Sequence, residues 1–519
     1  MKDPIYTNGM FVWTAISLAV AAPLLLLLLN TFHSWKSSTT NSRRLPPGPP
    51  GWPLIGNLLD LGYNYKAPHK RLVQLQKKYG PVFMIRMGVV NTLVIASADA
   101  AMELFKSHDQ AFINRHPIQA LQPSNDDYHG TPWSPHGPIW RMNRRLYANF
   151  FSRTTMKNTL VRRRQFVDQI IEWISVEEKE GRSVEIKHLS LVAFANLLGN
   201  LFFSKDVMHL KSATGTKLYQ LLGEIVELAT TPNLADFFPW LRSLDPQNLA
   251  KRTLKAVHAC ANIVDGFAKE RRSMNVLRNN NEEKDYWDLL MDFEGNGKDE
   301  PRKLSERHIN WFITEIFIGG SDSLINSIEW VMTEVVRNPE VMKKAKDEIA
   351  QVVGYNRRIE ESDIENLSYL GAVIKETLRL HPAAPLLIPR TTVEDTKFMG
   401  YIIPKDTAVL VNVWGIGRDS ASWDDPFSFN PERFLGNTTD YRGQHFQYLP
   451  FGSGRRMCAG YPMAHRILHI VVGSLLQSFD WTLENGVTPE SIDMREKLQT
   501  SLQKYTPLRI IPRASALAV

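Results

Sequence analysis

One stretch near the C-terminal end constrains this chain more than any other, the decapeptide F-G-S-G-R-R-M-C-A-G at 451–460. It contains Cys458, one of only two cysteines in the protein, and a helical pattern follows it. A cysteine thiolate in a loop of this kind is a suitable ligand for a haem iron. Gly454 and Gly460 would let the backbone approach a flat macrocycle closely, because neither carries a Cβ that would obstruct it.

Two neighbours have complementary roles under that interpretation. Arg456 is expected to pair with a propionate, and cationic surroundings favour the thiolate form of Cys458. Phe451 is expected to cover the sulfur and to keep water away from it. The alternative is a buried, unreactive thiol in a glycine-rich turn, because a free cysteine usually behaves as a small hydrophobic residue.

The spacing F-x-x-G-x-R-x-C-x-G resembles the haem-binding signature of the cytochrome P-450 superfamily at every fixed position. The resemblance implies haem b (iron protoporphyrin IX) as the cofactor, with Cys458 as the metal ligand. It also implies the fold of that superfamily, which is mainly α with small β-sheets.

Composition excludes several other classes of protein. The 519 residues are 43% hydrophobic and 22% charged, which permits an extensive globular core. The net charge is +7, but no run of Lys and Arg interleaved with aromatic residues stands out, so nucleic acid is a poor partner. An acidic protein or an anionic membrane surface fits the charge better. Cys260 and Cys458 are too few for a disulfide framework, which indicates a reducing compartment.

The N-terminal region predicts a membrane anchor. Residues 10–30 form an almost unbroken apolar run, and about twenty such residues span a bilayer core of about 30 Å. The small residues at 19–22 precede the leucine block, whereas a signal-peptidase site would follow it. Lys36, Arg43 and Arg44 come after the run, so the positive-inside rule places the following domain in the cytosol.

We therefore expect a single-pass protein of the endoplasmic reticulum membrane, with its catalytic domain on the cytosolic face. The predicted organisation is a lumenal tail at 1–9, a transmembrane signal anchor at 10–30, a basic and proline-rich hinge at 31–53 and one haem-thiolate catalytic domain at 54–519. No low-complexity linker divides the last of these.

Periodicity predicts a mainly helical body. A strand pair is expected at Val82–Met87 and Thr92–Ala96, and a second pair at about 397–403 and 407–412. Helical patterns cover about 97–107, 139–151, 157–178, 309–336, 340–353, 368–380 and 462–478.

A charged triad is the second constellation in the chain. Glu376 and Arg379 lie three residues apart on one helical face, and Arg433 follows in the sequence Pro-Glu-Arg-Phe before the cysteine loop. A buried Glu376 would accept hydrogen bonds from both arginines and fix the approach of the loop. The order of these motifs resembles the Glu–Arg–Arg triad of the superfamily. Surface ion pairs are the alternative interpretation.

The long helix near 309 carries an unusual centre, Gly319-Gly320-Ser-Asp322-Ser323. Two glycines in a helix interior each cost about 1 kcal/mol relative to alanine, so they are expected to provide room above a flat ligand and a local break in the helical ladder. Asp322 and Ser323 would form a proton relay there. The pattern resembles the oxygen-binding groove of the superfamily, although Ser323 replaces the usual threonine. A helix kink capped by Asp322 is the alternative.

Further basic residues are expected near the cofactor. Trp140 and Arg144 lie four apart on one helix face and resemble the W-x-x-x-R pair that meets a haem propionate. Arg390 occupies a similar place after Glu376. Each arginine could instead be a solvated surface charge.

The resemblance implies a monooxygenase. It covers essentially the whole chain and is similar to the plant microsomal A-type group, with the stretch at 232–247 similar to that of geraniol-hydroxylase-like terpenoid and alkaloid oxidases. The implied reaction hydroxylates a hydrophobic small molecule with O2 and with electrons from NADPH, delivered by a flavoprotein reductase. Two alternatives stay open: a haem-thiolate oxidase that couples phenols or forms rings without inserting oxygen, and a non-catalytic membrane haem protein.

Overall fold

The computed structural model describes residues 44–61, 67–121, 130–208, 213–275, 284–484 and 486–515. Within these ranges helices dominate and strands are short, so the predicted mainly α fold is confirmed. The α-helices, in chain order, are α1 Pro68–Tyr79, α2 Ala98–Met102, α3 Pro138–Phe150, α4 Arg153–Asn158, α5 Leu160–Lys179, α6 Ile186–Phe203, α7 Ala213–Thr230, α8 Leu234–Phe237, α9 Leu249–Asn275, α10 Tyr286–Met291, α11 Glu306–Arg337, α12 Pro339–Val352, α13 Ser368–Leu380, α14 Val413–Ile416 and α15 Tyr461–Ser478.

The strands form four small sheets. They are β1 Val82–Met87, β2 Val90–Ile95, β3 Asn114–Arg115, β4 Val184–Glu185, β5 Arg390–Thr391, β6 Thr396–Phe398, β7 Tyr401–Ile403, β8 Ala408–Val411, β9 Phe479–Leu483, β10 Glu496–Leu498, β11 Leu502–Lys504 and β12 Arg509–Ala514. The largest sheet has the order β1-β2-β8-β5-β3, and the others are β4-β12-β9, β10-β11 and β6-β7.

One predicted strand pairing is wrong. β6 and β7 form a hairpin with each other, and β8 does not pair with either of them. Instead β8 lies parallel to β2, with Leu93 opposite Val409. All four residues of β8 are buried, and a central strand of this kind is apolar on both faces. The short polar link before β8 resembles a hairpin turn, but the partners of β8 are β5 and, more than three hundred residues earlier in the chain, β2.

Helix α11 is the axis of the core. Its first turn is capped by Ser305, whose side chain accepts a hydrogen bond from His308 N at 3.1 Å. From Leu324 to Val336 every residue is buried, whereas Asp322 and Ser323 are partly accessible. The helix packs against α6, α13 and α15. Its C-terminal half therefore anchors the fold, and the middle of the helix is left to line a site.

Periodicity did not predict several of the helices, among them α1, α6, α7 and α9. Helix α6 shows the reason most clearly, because it is buried on nearly every side and so has no polar face to reveal a helical period. It is also the one described helix that is long and apolar enough to cross a membrane, and 72% of its apolar window is buried inside the protein. The contacts of α6 with α5 and α11 identify it as a core helix.

The predicted lumenal tail and transmembrane anchor lie outside the described residues. The hinge is described only from residue 44, where it is neither helix nor strand and where Pro47 O accepts a hydrogen bond from Met84 N at 2.8 Å. The domain boundaries stay a prediction.

Candidate active site

The cysteine loop is a compact turn against the start of α15. The residues Gly454–Arg456 form one 3-10 turn, and Cys458 N donates to Phe451 O at 3.0 Å. The backbone N–H groups of Gly460 and Tyr461 donate toward the Cys458 sulfur. These groups lie at the N-terminus of α15, where backbone dipoles favour a negative charge. The loop therefore presents its sulfur to the first turn of a helix.

Cys458 is accessible to solvent although the protein surrounds its thiol. Cys458 is exposed, yet burial raises the pKa of its thiol, with the Gly460 N–H and the Arg144 charge acting in the opposite direction. A side chain that faces an internal space can be accessible to solvent and still have its pKa raised by the protein around it. The expectation that the arginines keep the thiol ionised is therefore too simple, because burial outweighs Arg144. A metal cation bound to the sulfur would reverse the balance.

Gly454 has a further reason to be a glycine besides the expected one. Gly454 has a φ of +69°, and a Cβ on it would lie 2.6 Å from Asp109 Oδ1. Its lack of a side chain is thus required by backbone conformation and by a carboxylate. A Cβ on Gly460 would lie 4.0 Å from the Cys458 sulfur. Phe451 is partly buried, and its ring lies 5.2 Å from Tyr441 and 6.3 Å from Tyr461.

Asp109, which was not predicted from the sequence, connects the loop to the sheet. Its Oδ1 accepts from Arg390 Nη1 at 2.8 Å, and its Oδ2 accepts from the Arg455 backbone N–H at 3.2 Å. Arg390 also donates to Ser453 O at 3.1 Å. Nothing in the local sequence around Asp109 distinguishes it, since its partners are far away in the chain.

Trp140 packs against two guanidinium groups. The carbon of the Arg456 guanidinium lies 4.4 Å from the Trp140 ring centroid, and that of Arg144 lies 5.9 Å away. Arg144 donates to Met457 O at 3.0 Å, next to the cysteine. Arg456 donates to backbone oxygens, at 3.0 Å from Ile113 O and 2.7 Å from Ser134 O.

Arg115 is a fourth guanidinium in this cluster and was not singled out from the sequence. It donates to the backbone oxygens of Pro132 at 2.8 Å and Ile388 at 2.7 Å. Burial, followed by the charges of Arg390 and Arg456, lowers its pKa well below the usual value. Burial likewise lowers the pKa of Arg456 to about 10, and Arg390 adds to that effect.

The charge of this cluster is unbalanced. Among the described residues, Asp109 is the only carboxylate that forms an ion pair with any of the guanidinium groups of Arg115, Arg144, Arg390 and Arg456. The surplus of positive charge, enclosed by the protein, fits a ligand with carboxylates of its own. The two propionates of haem are such groups.

The predicted triad residues form one buried network. Glu376 Oε2 accepts from Arg379 Nε at 2.7 Å, and its Oε1 accepts from Arg379 Nη2 at 2.7 Å and from Arg433 Nε at 3.0 Å. The Asn430 backbone N–H also donates to Oε1, at 2.9 Å. The side chains of Glu376 and Arg379 are 0% exposed. Arg379 further donates to Pro426 O at 2.7 Å. The network thus joins α13 to the segment that precedes the cysteine loop.

The centre of α11 has room on one side and no helical break. The helix is continuous from Glu306 to Arg337, so the expected interruption at the glycines is not observed. Gly319 is exposed, and a Cβ on it would meet no protein atom within 4 Å outside its own helix segment. A Cβ on Gly320 would lie 3.7 Å from Phe194, an ordinary contact. The space beside Gly319 accords with a flat ligand against this face.

Asp322 and Ser323 point to different partners. Ser323 Oγ donates to Gly319 O at a long 3.4 Å. Asp322 accepts hydrogen bonds from Asn326, Thr500 and Ser501. No hydrogen bond within the described part of the chain joins Asp322 to Ser323. Asp322 and Ser323 are adjacent in sequence, but their side chains are not bonded to each other. Any exchange of protons between them therefore requires a further group.

A small cavity lies beside the cysteine loop, toward α3. Its volume is about 260 Å³, and it is lined by Arg144, Tyr147, Ala148, Phe151, Ala459 and Pro462. Tyr147, within this lining, donates to Glu315 of α11 at 2.8 Å. The cavity is thus bounded by the residue that follows the cysteine and by the first turns of α15.

Comparisons with known proteins agree on one family. A family model described as cytochrome P-450 matches residues 46–509. An iridoid oxidase from Catharanthus roseus is 44% identical over 506 residues, covering 96% of this chain and 97% of that protein. A geraniol 8-hydroxylase from the same plant is 38% identical and covers 94% of this chain and 98% of that protein. A zebrafish cytochrome P-450 solved with progesterone has a similar fold, with a TM-score of 0.73, 24% identity, and coverage of 86% of this chain and 99% of that one.

Proposed function

This chain belongs to the cytochrome P-450 family, and from that premise we propose that it oxidises a terpenoid at the cytosolic face of the endoplasmic reticulum membrane. Membership makes it a haem b monooxygenase that uses O2 and electrons derived from NADPH and acts on a hydrophobic small molecule. Bound haem supplies the iron at which O2 is activated. The roles of individual residues, the substrate class, the reductase and the location are the proposal.

We assign Cys458 as the residue whose sulfur would bind the haem iron. The support is that Cys458 is an accessible residue whose sulfur faces the N-terminus of α15, together with the enclosed guanidinium groups around it. Arg115, Arg144, Arg390 and Arg456 would supply positive charge for the propionates, and the open space beside Gly319 would leave room for the macrocycle. Trp140 and Arg456 hold that cluster together by packing and by hydrogen bonds to the backbone.

Asp322 and Ser323, in the middle of α11, are the proposed source of protons. The hydrogen bond from Ser323 Oγ to Gly319 O is long, so the hydroxyl can rotate. It can then donate its proton on the side of α11 where Gly319 leaves space. Asp322 accepts from two hydroxyl groups that can pass protons to it. A water molecule is expected to connect Asp322 with Ser323, since the two are not directly bonded.

The terpenoid class rests on the relatives. The proteins named iridoid oxidase and geraniol 8-hydroxylase match this chain over nearly their whole lengths. The segment between α13 and β5 supports a hydrophobic substrate, because Ala384, Leu386, Leu387 and Ile388 are all apolar and partly accessible. Leu387 has a φ of 51° and lies against Gly452 of the cysteine loop, which ties this segment to the site.

Contact with a membrane is supported by an apolar surface around the hairpin β1–β2. Trp52, Trp240 and Leu244 have 57%, 59% and 71% of their surfaces exposed. The hairpin joins these parts, because Gly88 N donates to Ile55 O at 3.2 Å and Val89 N donates to Phe237 O at 3.1 Å. Such a patch, together with the predicted anchor at 10–30, fits a protein held on a bilayer.

A flavoprotein reductase is the proposed electron donor. Arg145, Arg442 and Arg455 each pair with a carboxylate, yet their side chains remain 50%, 62% and 48% exposed. The latter two belong to the segment that leads into Cys458. Positive charge there would attract an acidic partner, and high salt would weaken that encounter.

Microsomes that contain the full chain and a reductase provide the test. Monoterpene alcohols, iridoid precursors and alkaloid scaffolds would be added, and the substrate-induced spectral shift and the product mass would be measured. We expect a terpenoid product heavier by one oxygen atom and formed only with NADPH. A product lighter by two hydrogens, from a phenol, would instead assign the coupling reaction, and turnover of alkaloids alone would overturn the terpenoid class.

A further inference from the structure

The carboxylate of Asp322 is occupied by the tip of the hairpin β10–β11. Its Oδ2 accepts from Ser501 Oγ at 2.6 Å and from Thr500 Oγ1 at 2.7 Å. Its Oδ1 accepts from Asn326 Nδ2 at 2.9 Å. Asn326 Nδ2 also donates to Ser501 Oγ at 2.6 Å, so Asp322, Ser501 and Asn326 form a closed ring of hydrogen bonds.

The ring is built into the core on one side. Asn326 is 0% exposed and Ser501 is 2% exposed, whereas Thr500 is exposed. Hydrogen bonds to an ionised carboxylate are roughly twice as strong as those between neutral groups, and more so where water is excluded. Asp322 is the side chain that accepts hydrogen bonds from both hydroxyls of this hairpin tip.

The same tip is connected to the apolar segment of the site. Trp330 Nε1 of α11 donates to Leu502 O at 3.0 Å, and Leu502 N donates to Ala383 O at 2.8 Å. Ala383 immediately precedes the segment at 384–388, in which all residues except Pro385 are partly accessible. Displacement of residues 500–502 would thus be transmitted directly to that segment.

We propose that Asp322 is a positioning residue that fixes the hairpin tip at 499–501, and through it one wall of the substrate pocket. This inference rests on the proposed function, since it presumes that the segment at 384–388 faces the substrate. It gives Asp322 a second role besides proton supply, and that role operates before any electron or proton is delivered. Selectivity for the shape of the ligand then depends on the hydroxyls of Thr500 and Ser501.

The test uses the haem-loaded full chain in its resting ferric form, where proton delivery plays no part. The hydroxyls would be removed in Ser501→Ala, in Thr500→Val and in the double variant, with Ser501→Thr and Thr500→Ser as conservative rescues. Two probes that bind haem iron through nitrogen would be titrated spectroscopically, imidazole, which is small, and 4-phenylimidazole, whose ring must fit within the pocket. Amide hydrogen exchange would be measured over residues 498–504.

We expect the double variant to change the Kd of 4-phenylimidazole at least about fivefold and that of imidazole less than about twofold, since only the larger probe reaches the wall. Exchange in the tip should become about tenfold faster, as loss of hydrogen bonds to a charged group predicts. Both rescues should restore wild-type values. If Ser501→Ala fails to bind haem, Thr500→Val, whose side chain is exposed, gives the same comparison with a smaller change.

An unchanged Kd for 4-phenylimidazole, or unchanged exchange in the tip, would each overturn the proposal, even if Asp322→Asn impairs turnover. The azole probes bind iron whatever the natural substrate is. A wild-type chain that oxidises no terpenoid but shows the expected azole pattern would therefore refute the substrate class alone.

Discussion

Replacing Glu376 by glutamine should detach the segment before the cysteine loop from α13. The carboxylate takes four hydrogen bonds, two from Arg379, one from Arg433 and one from Asn430 N. A glutamine amide has one oxygen, so its NH2 would face the Arg379 Nε donor now at 2.7 Å. The Arg379 cation, with a side chain 0% exposed, would lose its counter-charge. Breaking a buried pair in this way costs about 3–5 kcal/mol.

Glu432→Gln is the matched control. Glu432 lies beside Arg433, but its ion pair with Lys344 is at the surface, with side chains 41% and 56% exposed, and pairs of that kind contribute about 0–1 kcal/mol. The assay is urea unfolding of the haem-loaded protein, followed by haem absorbance and by tryptophan fluorescence. We expect Glu376→Gln to lose haem at a much lower urea concentration than Glu432→Gln. Equal stability of the two variants, within about 1 kcal/mol, would refute the account of the triad.

Three further changes probe the loop, the arginine cluster and the pH response. Gly454→Ala should lower haem retention by more than Gly436→Ala. Both glycines have a positive φ, but only at Gly454 would the new Cβ meet Asp109, at 2.6 Å. Similar retention in the two variants would contradict the steric argument. Arg115→Gln should speed haem transfer to apomyoglobin, whereas the exposed Arg141→Gln should leave the rate unchanged. Burial lowers the pKa of His469 from 6.5 to about 3, so unfolded chains bind a proton that folded ones exclude, and stability falls as the pH drops below about 6.5. His469→Gln should remove about 2 kcal/mol of that fall between pH 7 and pH 5, as measured by urea unfolding.

Features that depend on local sequence were predictable. The decapeptide around Cys458 and the E-x-x-R pair are short motifs, so their partners are near in sequence or follow in a fixed order. The network of Glu376, Arg379 and Arg433 is present as its order suggested. The amphipathic helices were also predictable, because one exposed face reveals the period.

Features that depend on distant contacts were not predictable. Asp109 and Arg115 belong to the site only because they lie near Arg390 and the cysteine loop, which are hundreds of residues away in the chain. Helix α6 has no polar face, and β8 pairs with β2 rather than with its neighbour in sequence. The direction in which Asp322 points is set by the hairpin tip at 499–501, to which no motif in the sequence connects it.

The bond between Cys458 and the haem iron can be measured most directly in the absorbance of the reduced protein with carbon monoxide. Cys458→Ser would be compared with Cys260→Ser, which removes the other cysteine, a buried one whose thiol pKa burial raises to about 12. We expect the absorption band typical of a thiolate-ligated haem in the wild-type chain and in Cys260→Ser, and its absence in Cys458→Ser. A thiolate band that persists in Cys458→Ser, or that is missing from the haem-loaded wild-type chain, would contradict the assignment.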